Sequence, residues 1–133
     1  RHTPKGKLGY GFRMATIRNV SCVTGACLMI KRKTFDEVNG FDENLAIAFN
    51  DIDLCLKVRD RGYSVVWTPH AEYTHFESKT RGAEDTPEKI NRFQKEINYF
   101  KSKWDKELIA GDEFYSPNLN PESETPSIRT TKN

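Results

Sequence analysis

Residues 20–30, VSCVTGACLMI, are an apolar run inside a chain that is 30% charged, so their small and β-branched side chains need a surface to pack against. The run reads as a buried strand, and Thr24-Gly25 in its middle marks a bulge or a close backbone approach. Lys31-Arg32-Lys33 ends it. Thr34 with Glu37 three residues later is a capping-box pattern that predicts a short helix over 35–38, stopped by Gly40, before Phe41 returns to the core.

Two further helices and a strand pair are expected downstream. In NDIDLCLKVRDR, residues 50–61, Asn50 is a good N-cap, Ile52, Cys55, Leu56 and Arg59 share one face, and Gly62 closes the helix. Asp51 and Asp53 then fall in its first turn, where free backbone N–H groups and the helix dipole favour negative charge. Residues 63–67, YSVVW, and 71–76 read as strands, with Tyr73, His75 and Glu77 on one face and His70, Glu72 and Thr74 on the other. From Pro87, with Asp85 or Thr86 as cap, a long helix carries Ile90, Phe93, Ile97, Phe100 and Trp104 at steps of three and four, and it ends before Gly111. That stripe is read first as a docking face against the same domain. The alternative is a non-catalytic interaction module that docks a partner through it.

Composition bounds the function. A chain of 133 residues with net charge +2 has room for one ordinary domain, and its charge does not call for nucleic acid as a partner. Nothing in it resembles collagen, a long acidic tail or a disulfide-dense miniprotein, and no stretch approaches the roughly 20 apolar residues of a membrane span. Residues 1–19 form a basic, glycine-rich lead-in with no acidic residue, residues 20–110 the body, and residues 111–133 a polar, loosely ordered tail. The three cysteines, Cys22, Cys27 and Cys55, follow no CxxC spacing and read as small buried apolar residues of a reducing compartment.

One constellation concentrates chemistry. At the helix start, Asp51 can project past the helix end and accept a proton from a hydroxyl, whereas Asp53 has a ready structural role accepting from the N–H of the cap. His75, taken alone, is an ordinary strand histidine. A metal hydrolase built from His70, Glu72, His75 and Glu77 is disfavoured, because alternation splits the four between two faces.

Residues 23–78, continuing through Thr80-Arg81-Gly82, resemble the second half of a family 2 glycosyltransferase, the inverting enzymes with the GT-A fold, and similar phrases occur in bacterial rhamnosyltransferase-like members that make cell-surface polysaccharide. The resemblance implies an α/β fold, the acceptor-side, C-terminal portion of a GT-A domain. It places Asn50-Asp51 at the acidic motif, usually Glu-Asp, whose second residue is the catalytic base. It also implies that Asn50 and Asp53 lie beside the substrate, and that Thr24, Gly25 and Ala26 lie under donor sugar and acceptor. His75 matches a ligand of a divalent cation, Mn or Mg, on the donor diphosphate, and Ser78, Lys79 and Arg81 match the loop that reaches that diphosphate. The partners implied are a nucleotide-sugar donor and a glycan or lipid-linked acceptor, in the cytoplasm or at the inner face of the membrane. Asp51-Ile52-Asp53 has Asp-x-Asp spacing but opens a helix, so it is not read as the metal motif. The nucleotide-binding half is therefore expected before Arg1, and a chain without initiator Met is expected to be a fragment that is inactive alone. Its truncated sheet would favour self-association.

Overall fold

A computed structural model describes residues 6, 8–73, 86–120, 123 and 127–129. Helices dominate it. Strand β1 (Arg18–Asn19) pairs antiparallel with β2 (Val66–Trp67), Arg18 opposite Trp67 and Asn19 opposite Val66. The helices are α1 (Arg32–Glu37), α2 (Asn50–Asp60), α3 (Pro87–Lys103) and α4 (Asp105–Ala110).

The expected strand over 20–30 forms only at its edge. The Val20 N–H donates to the Val65 carbonyl at 2.9 Å, continuing the β1–β2 ladder by one residue. Beyond it a 3-10 turn at Gly25–Cys27 interrupts the chain, with the Thr24 hydroxyl accepting from the Ala26 N–H at 3.3 Å, and extended backbone resumes at Leu28. A compact turn of this kind cannot carry a ladder, so the apolar run lines a cleft instead. Likewise, of residues 63–67 only Val66–Trp67 is strand, and residues 71–73 pair with no strand among the described residues. Residues 74–76 lie outside those described.

Helix α1 starts earlier than the capping pattern predicts. Lys31 is its N-cap and makes no side-chain cap bond, because Thr34 is already inside the helix. It ends in a Schellman arrangement: Asn39 takes φ 58°, Gly40 φ 56°, and the Gly40 N–H reaches back to the Phe35 carbonyl at 2.8 Å. A Cβ on Gly40 would lie 2.9 Å from the Phe35 ring, so both backbone and space require glycine there.

Helix α2 also differs at its start. Phe49 precedes it at φ 63°, without a side-chain cap, and Asn50 is the first helical residue rather than the cap. The apolar surface of α2 is wider than one face. Leu54 and Val58 pack with Val38 on one side, while Ile52 and Leu56 pack on the cluster of Leu45, Phe100 and Trp104 on the other. Arg59 stays outside both cores, stacked at 5.5 Å on Phe114 and ion-paired with Glu113.

The long helix is capped by Thr86, whose hydroxyl accepts from the Lys89 N–H at 3.4 Å, with Pro87 in its first turn. It breaks at Trp104, where φ −116° and ψ 28° turn the chain into α4. Phe100 and Trp104 are buried, so the C-terminal half of the stripe docks inside this domain. Ile90 and Phe93 remain 55% and 44% exposed. The interaction-module reading is thus corrected for half of its surface. Part of the expected loose tail is tied down as well: Asp112 accepts from the Ser21 hydroxyl, Arg13 lies 5.8 Å over the Tyr115 ring, and Leu119 bridges Ile128.

Candidate active site

The start of α2 meets the 3-10 turn at one point. The Gly25 N–H donates to Asp51 Oδ2 at 2.8 Å, and the Ile52 N–H donates to Asp51 Oδ1 at 2.9 Å. Each carboxylate oxygen thereby holds one backbone donor, which fixes the plane of the group while leaving about two of its four lone-pair sites free. Space at Gly25 is tight and its φ is not left-handed: a Cβ there would sit 3.2 Å from Asp51 Cβ, so the turn or the helix would have to give by a few tenths of an ångström. Thr24, Gly25 and Ala26 are exposed, and Asn50 and Asp51 are half-buried beside them. The structure therefore brings together Asp51, Gly25, Thr24 and Ala26, with Asn50 adjoining in the chain.

Asp53 does not join them. Its side chain is 0% exposed, with Oδ1 accepting from Trp104 Nε1 at 2.8 Å and lying 2.7 Å from Lys103 Nζ, and with Oδ2 3.4 Å from Lys57 Nζ. The expected place beside the substrate is corrected: helical geometry turns residues i and i+2 to different sides, and this carboxylate faces α3. Nor does it accept from the Asn50 N–H as the capping argument has it. Its structural role is met instead through Trp104 and the two lysines.

Lys103 joins Asp53 to Asp42 at 2.7 Å. Burial alone would raise the Asp42 carboxyl, but bonds from Lys103, the Asn44 N–H and Tyr99 more than offset it and hold the group well below the carboxylate range. Burial likewise works to lower the Lys103 ammonium, and its bonds to Asp42 and Asp53 raise it above the usual lysine value. Sequence reasoning missed this clamp, since no local pattern links positions 42, 53 and 103. It also missed Phe49, whose ring stacks at 5.0 Å on Phe100 and 5.9 Å on Phe93 while its backbone sets the entry to Asn50-Asp51.

His75, Ser78, Lys79 and Arg81 lie outside the described residues. Among the described residues no three His, Cys, Asp or Glu side chains gather where they could hold a cation. A cleft of about 750 Å³ opens beside the turn, walled by residues that include Val20, Leu28, Ile30 and Trp67. Arg18 lies 5.3 Å over the Trp67 ring at its edge.

Comparison with known proteins decides which family built this arrangement. The sequence profile described as glycosyltransferase-like family 2 matches residues 12–93, well over half of the chain. The chain belongs to glycosyltransferase-like family 2. The match spans the 3-10 turn, all of α2 and the start of α3. Three relatives are similar to the chain in different degrees. The chain is 53% identical over 117 residues to the uncharacterized protein y4gI of Sinorhizobium fredii, covering 87% of this chain and 13% of that protein. It is 37% identical over 71 residues to the O-antigen biosynthesis protein RfbC of Myxococcus xanthus, covering 53% of this chain and 6% of that protein. It is 34% identical over 65 residues to an N-acetylglucosaminyl-diphospho-decaprenol L-rhamnosyltransferase of Mycobacterium tuberculosis, covering 49% of this chain and 21% of that protein. The chain thus spans only a small part of the curated relatives it matches. No solved structure matches it significantly. As a family 2 member the chain is rhamnosyltransferase-like in sequence, and among the described residues no helix is long and apolar enough to cross a membrane.

Proposed function

We propose that this chain is the acceptor-side portion of a GT-A glycosyltransferase domain and that Asp51 is its catalytic base. The observation that carries the reading is the held carboxylate, fixed by the Gly25 and Ile52 N–H groups at the exposed turn of Thr24, Gly25 and Ala26. An acceptor hydroxyl donates to a free lone pair of Asp51. Its oxygen attacks the anomeric carbon of a nucleotide-sugar as the bond to the diphosphate breaks, the proton passes to Asp51, and the nucleoside diphosphate leaves from the opposite face. One displacement inverts the anomeric centre. Gly25, lacking a side chain, keeps the approach to the carboxylate clear.

The family motif adds Ser78, Lys79 and Arg81 on the donor diphosphate and His75 as this chain's ligand to a divalent cation, Mn or Mg. Such a cation, when bound, neutralises the leaving diphosphate. None of the steps above is routed through it. The acceptor is a glycan or a lipid-linked sugar, the product a cell-surface polysaccharide, and the setting the cytoplasmic face of the membrane. Support for the acceptor and the product comes from the relatives' names, an O-antigen biosynthesis protein and an N-acetylglucosaminyl-diphospho-decaprenol L-rhamnosyltransferase.

The test is Asp51→Asn in the intact protein, assayed with the sugar nucleotides of related enzymes. Transfer should fall on the order of 10²–10⁴-fold with donor binding and melting temperature retained. Normal turnover would remove Asp51 from the reaction.

A further inference from the structure

Cys22 and Cys55 are 33 positions apart in the chain and adjacent in the fold. The Cys22 thiol points to the Ile52 carbonyl at 4.0 Å, the Val23 N–H donates to Cys55 Sγ at 3.5 Å, and the Cys55 thiol points to the Val23 carbonyl at 3.9 Å. Both thiols are free, and these bonds lay residues 22–23 along residues 52–55 of α2. Cys55 is 2% exposed and Cys22 half-buried, yet both line the cleft of about 750 Å³, which gives a small oxidant a route to them.

We propose that Cys22 and Cys55 form a dithiol/disulfide modification site that fastens the segment before Gly25 to helix α2. The backbone bonds between residues 22–23 and 52–55 set the pairing, since a disulfide needs two segments lying side by side, with Cα atoms within about 7 Å. The electronics favour the reaction. The neighbouring Cys22 thiol and the Val23 N–H held on Cys55 Sγ lower Cys55 against the effect of burial, while Cys22, facing the Ile52 carbonyl, is raised above the usual thiol value. Cys55 is therefore the thiolate and Cys22 the resolving thiol.

With hydrogen peroxide as oxidant, the Cys55 thiolate attacks one oxygen, the O–O bond breaks, and the other oxygen leaves as hydroxide and takes up a proton. The Cys22 sulfur then displaces the hydroxyl from the Cys55 sulfenic acid, the S–O bond breaks, and water leaves with the Cys22 proton. Two thiols and one peroxide become one disulfide and two waters. Each sulfur gives one electron to the oxygen pair, and a dithiol reductant reverses the exchange.

Placement gives the bond its consequence. Cys55 lies one helical turn after Asp51, and Cys22 lies three residues before Gly25, so the disulfide would run beside the Gly25–Asp51 hydrogen bond between the same two segments. The site is defined by the thiols alone and stands whether or not Asp51 is the base of a transferase.

The experiment titrates the reduced intact protein with hydrogen peroxide, alkylates residual thiols after unfolding, and maps peptides without reductant. The expected product joins the Cys22 and Cys55 peptides at the mass of the pair less two hydrogens, disappears with dithiothreitol, and forms equally in Cys27→Ser. In Cys22→Ser, a change at a half-buried position, the cross-link should be lost and Cys55 should be trapped by dimedone as the sulfenic acid. Cross-links through Cys27, or both thiols still alkylated at peroxide levels that oxidise a reference dithiol, would overturn the proposal.

Discussion

Asp51 and Asp53 stand two residues apart on α2 and serve opposite sides of it. Asp51 is half-buried and holds the Gly25 N–H at 2.8 Å, whereas Asp53 is fully buried and holds the Trp104 indole N–H at 2.8 Å. One carboxylate keeps free lone pairs at the surface, and the other is committed to joining α2 to the end of α3. The division explains how one helix start can carry both an open carboxylate and a structural anchor.

The anchor should be costly to break. Trp104→Phe removes one donor from a buried carboxylate oxygen and should destabilise by about 1–3 kcal/mol. Asp53→Ala leaves Lys103 and Lys57 facing a buried void and should cost about 3–5 kcal/mol. Urea titration of the intact protein followed by tryptophan fluorescence or circular dichroism checks both, and a loss below the Trp104→Phe range for Asp53→Ala would show that the carboxylate is not an anchor.

At Gly25 the expectation concerns position rather than stability. The added methyl of Gly25→Ala meets Asp51 Cβ at 3.2 Å, and because that atom is fixed to the helix backbone, the turn must move. A shift of this size in the proposed base should lower transfer by about 10–10²-fold, with a much smaller effect on melting temperature. Comparing initial rates with calorimetric midpoints separates the two, and unchanged rates would mean that the Gly25 contact does not position the carboxylate.

Phe49 offers a test of backbone strain. At φ 63° an L-residue is disfavoured by about 1–2 kcal/mol, so Phe49→Gly should be more stable than Phe49→Ala by about 1 kcal/mol. Both variants lose the stacking on Phe93 and Phe100, so the comparison isolates the backbone. Equal stabilities by denaturant titration would argue against the left-handed conformation.

Acid should loosen the joint between the loop before α2 and helix α3, which Asp42 makes through Tyr99 and Lys103. Asp42 is held below its unfolded value, so the stability it contributes is present above the ordinary carboxylate range, about pH 4, and is lost as pH falls from there toward its folded value. Asp42→Asn should therefore destabilise the protein at neutral pH and flatten the decline between about pH 4 and pH 2. Melting temperature against pH for the two proteins reads this directly, and parallel curves would contradict it.

The helices were legible in the chain, but not all of their ends: α1 and α2 begin without the caps expected, and the helix from Pro87 breaks at Trp104 instead of running on toward Gly111. Thr86-Pro87 marked the start of α3, the aromatic spacing marked its docking face, and Asn50 through Arg61 marked α2 within a residue at each end. Periodicity carries such information because a helix buries a stripe. The family was legible as well, and the profile match over residues 12–93 bears it out. What the chain could not specify was partnership between distant segments. The apolar run at 20–30 looked like a strand, but a strand exists only with a neighbour to complete its hydrogen bonds, and the turn at Gly25–Cys27 broke that pairing. Asp53 looked like a cap partner or a substrate contact until α3 supplied Trp104 and Lys103. Cys22 and Cys55 looked inert until packing set one beside the other. Sequence by itself determined which residues could form helices and which carried reactive groups. Only the tertiary structure decided which carboxylate stays open and which is buried, because burial, ion pairing and thiol contact depend on segments tens of residues away.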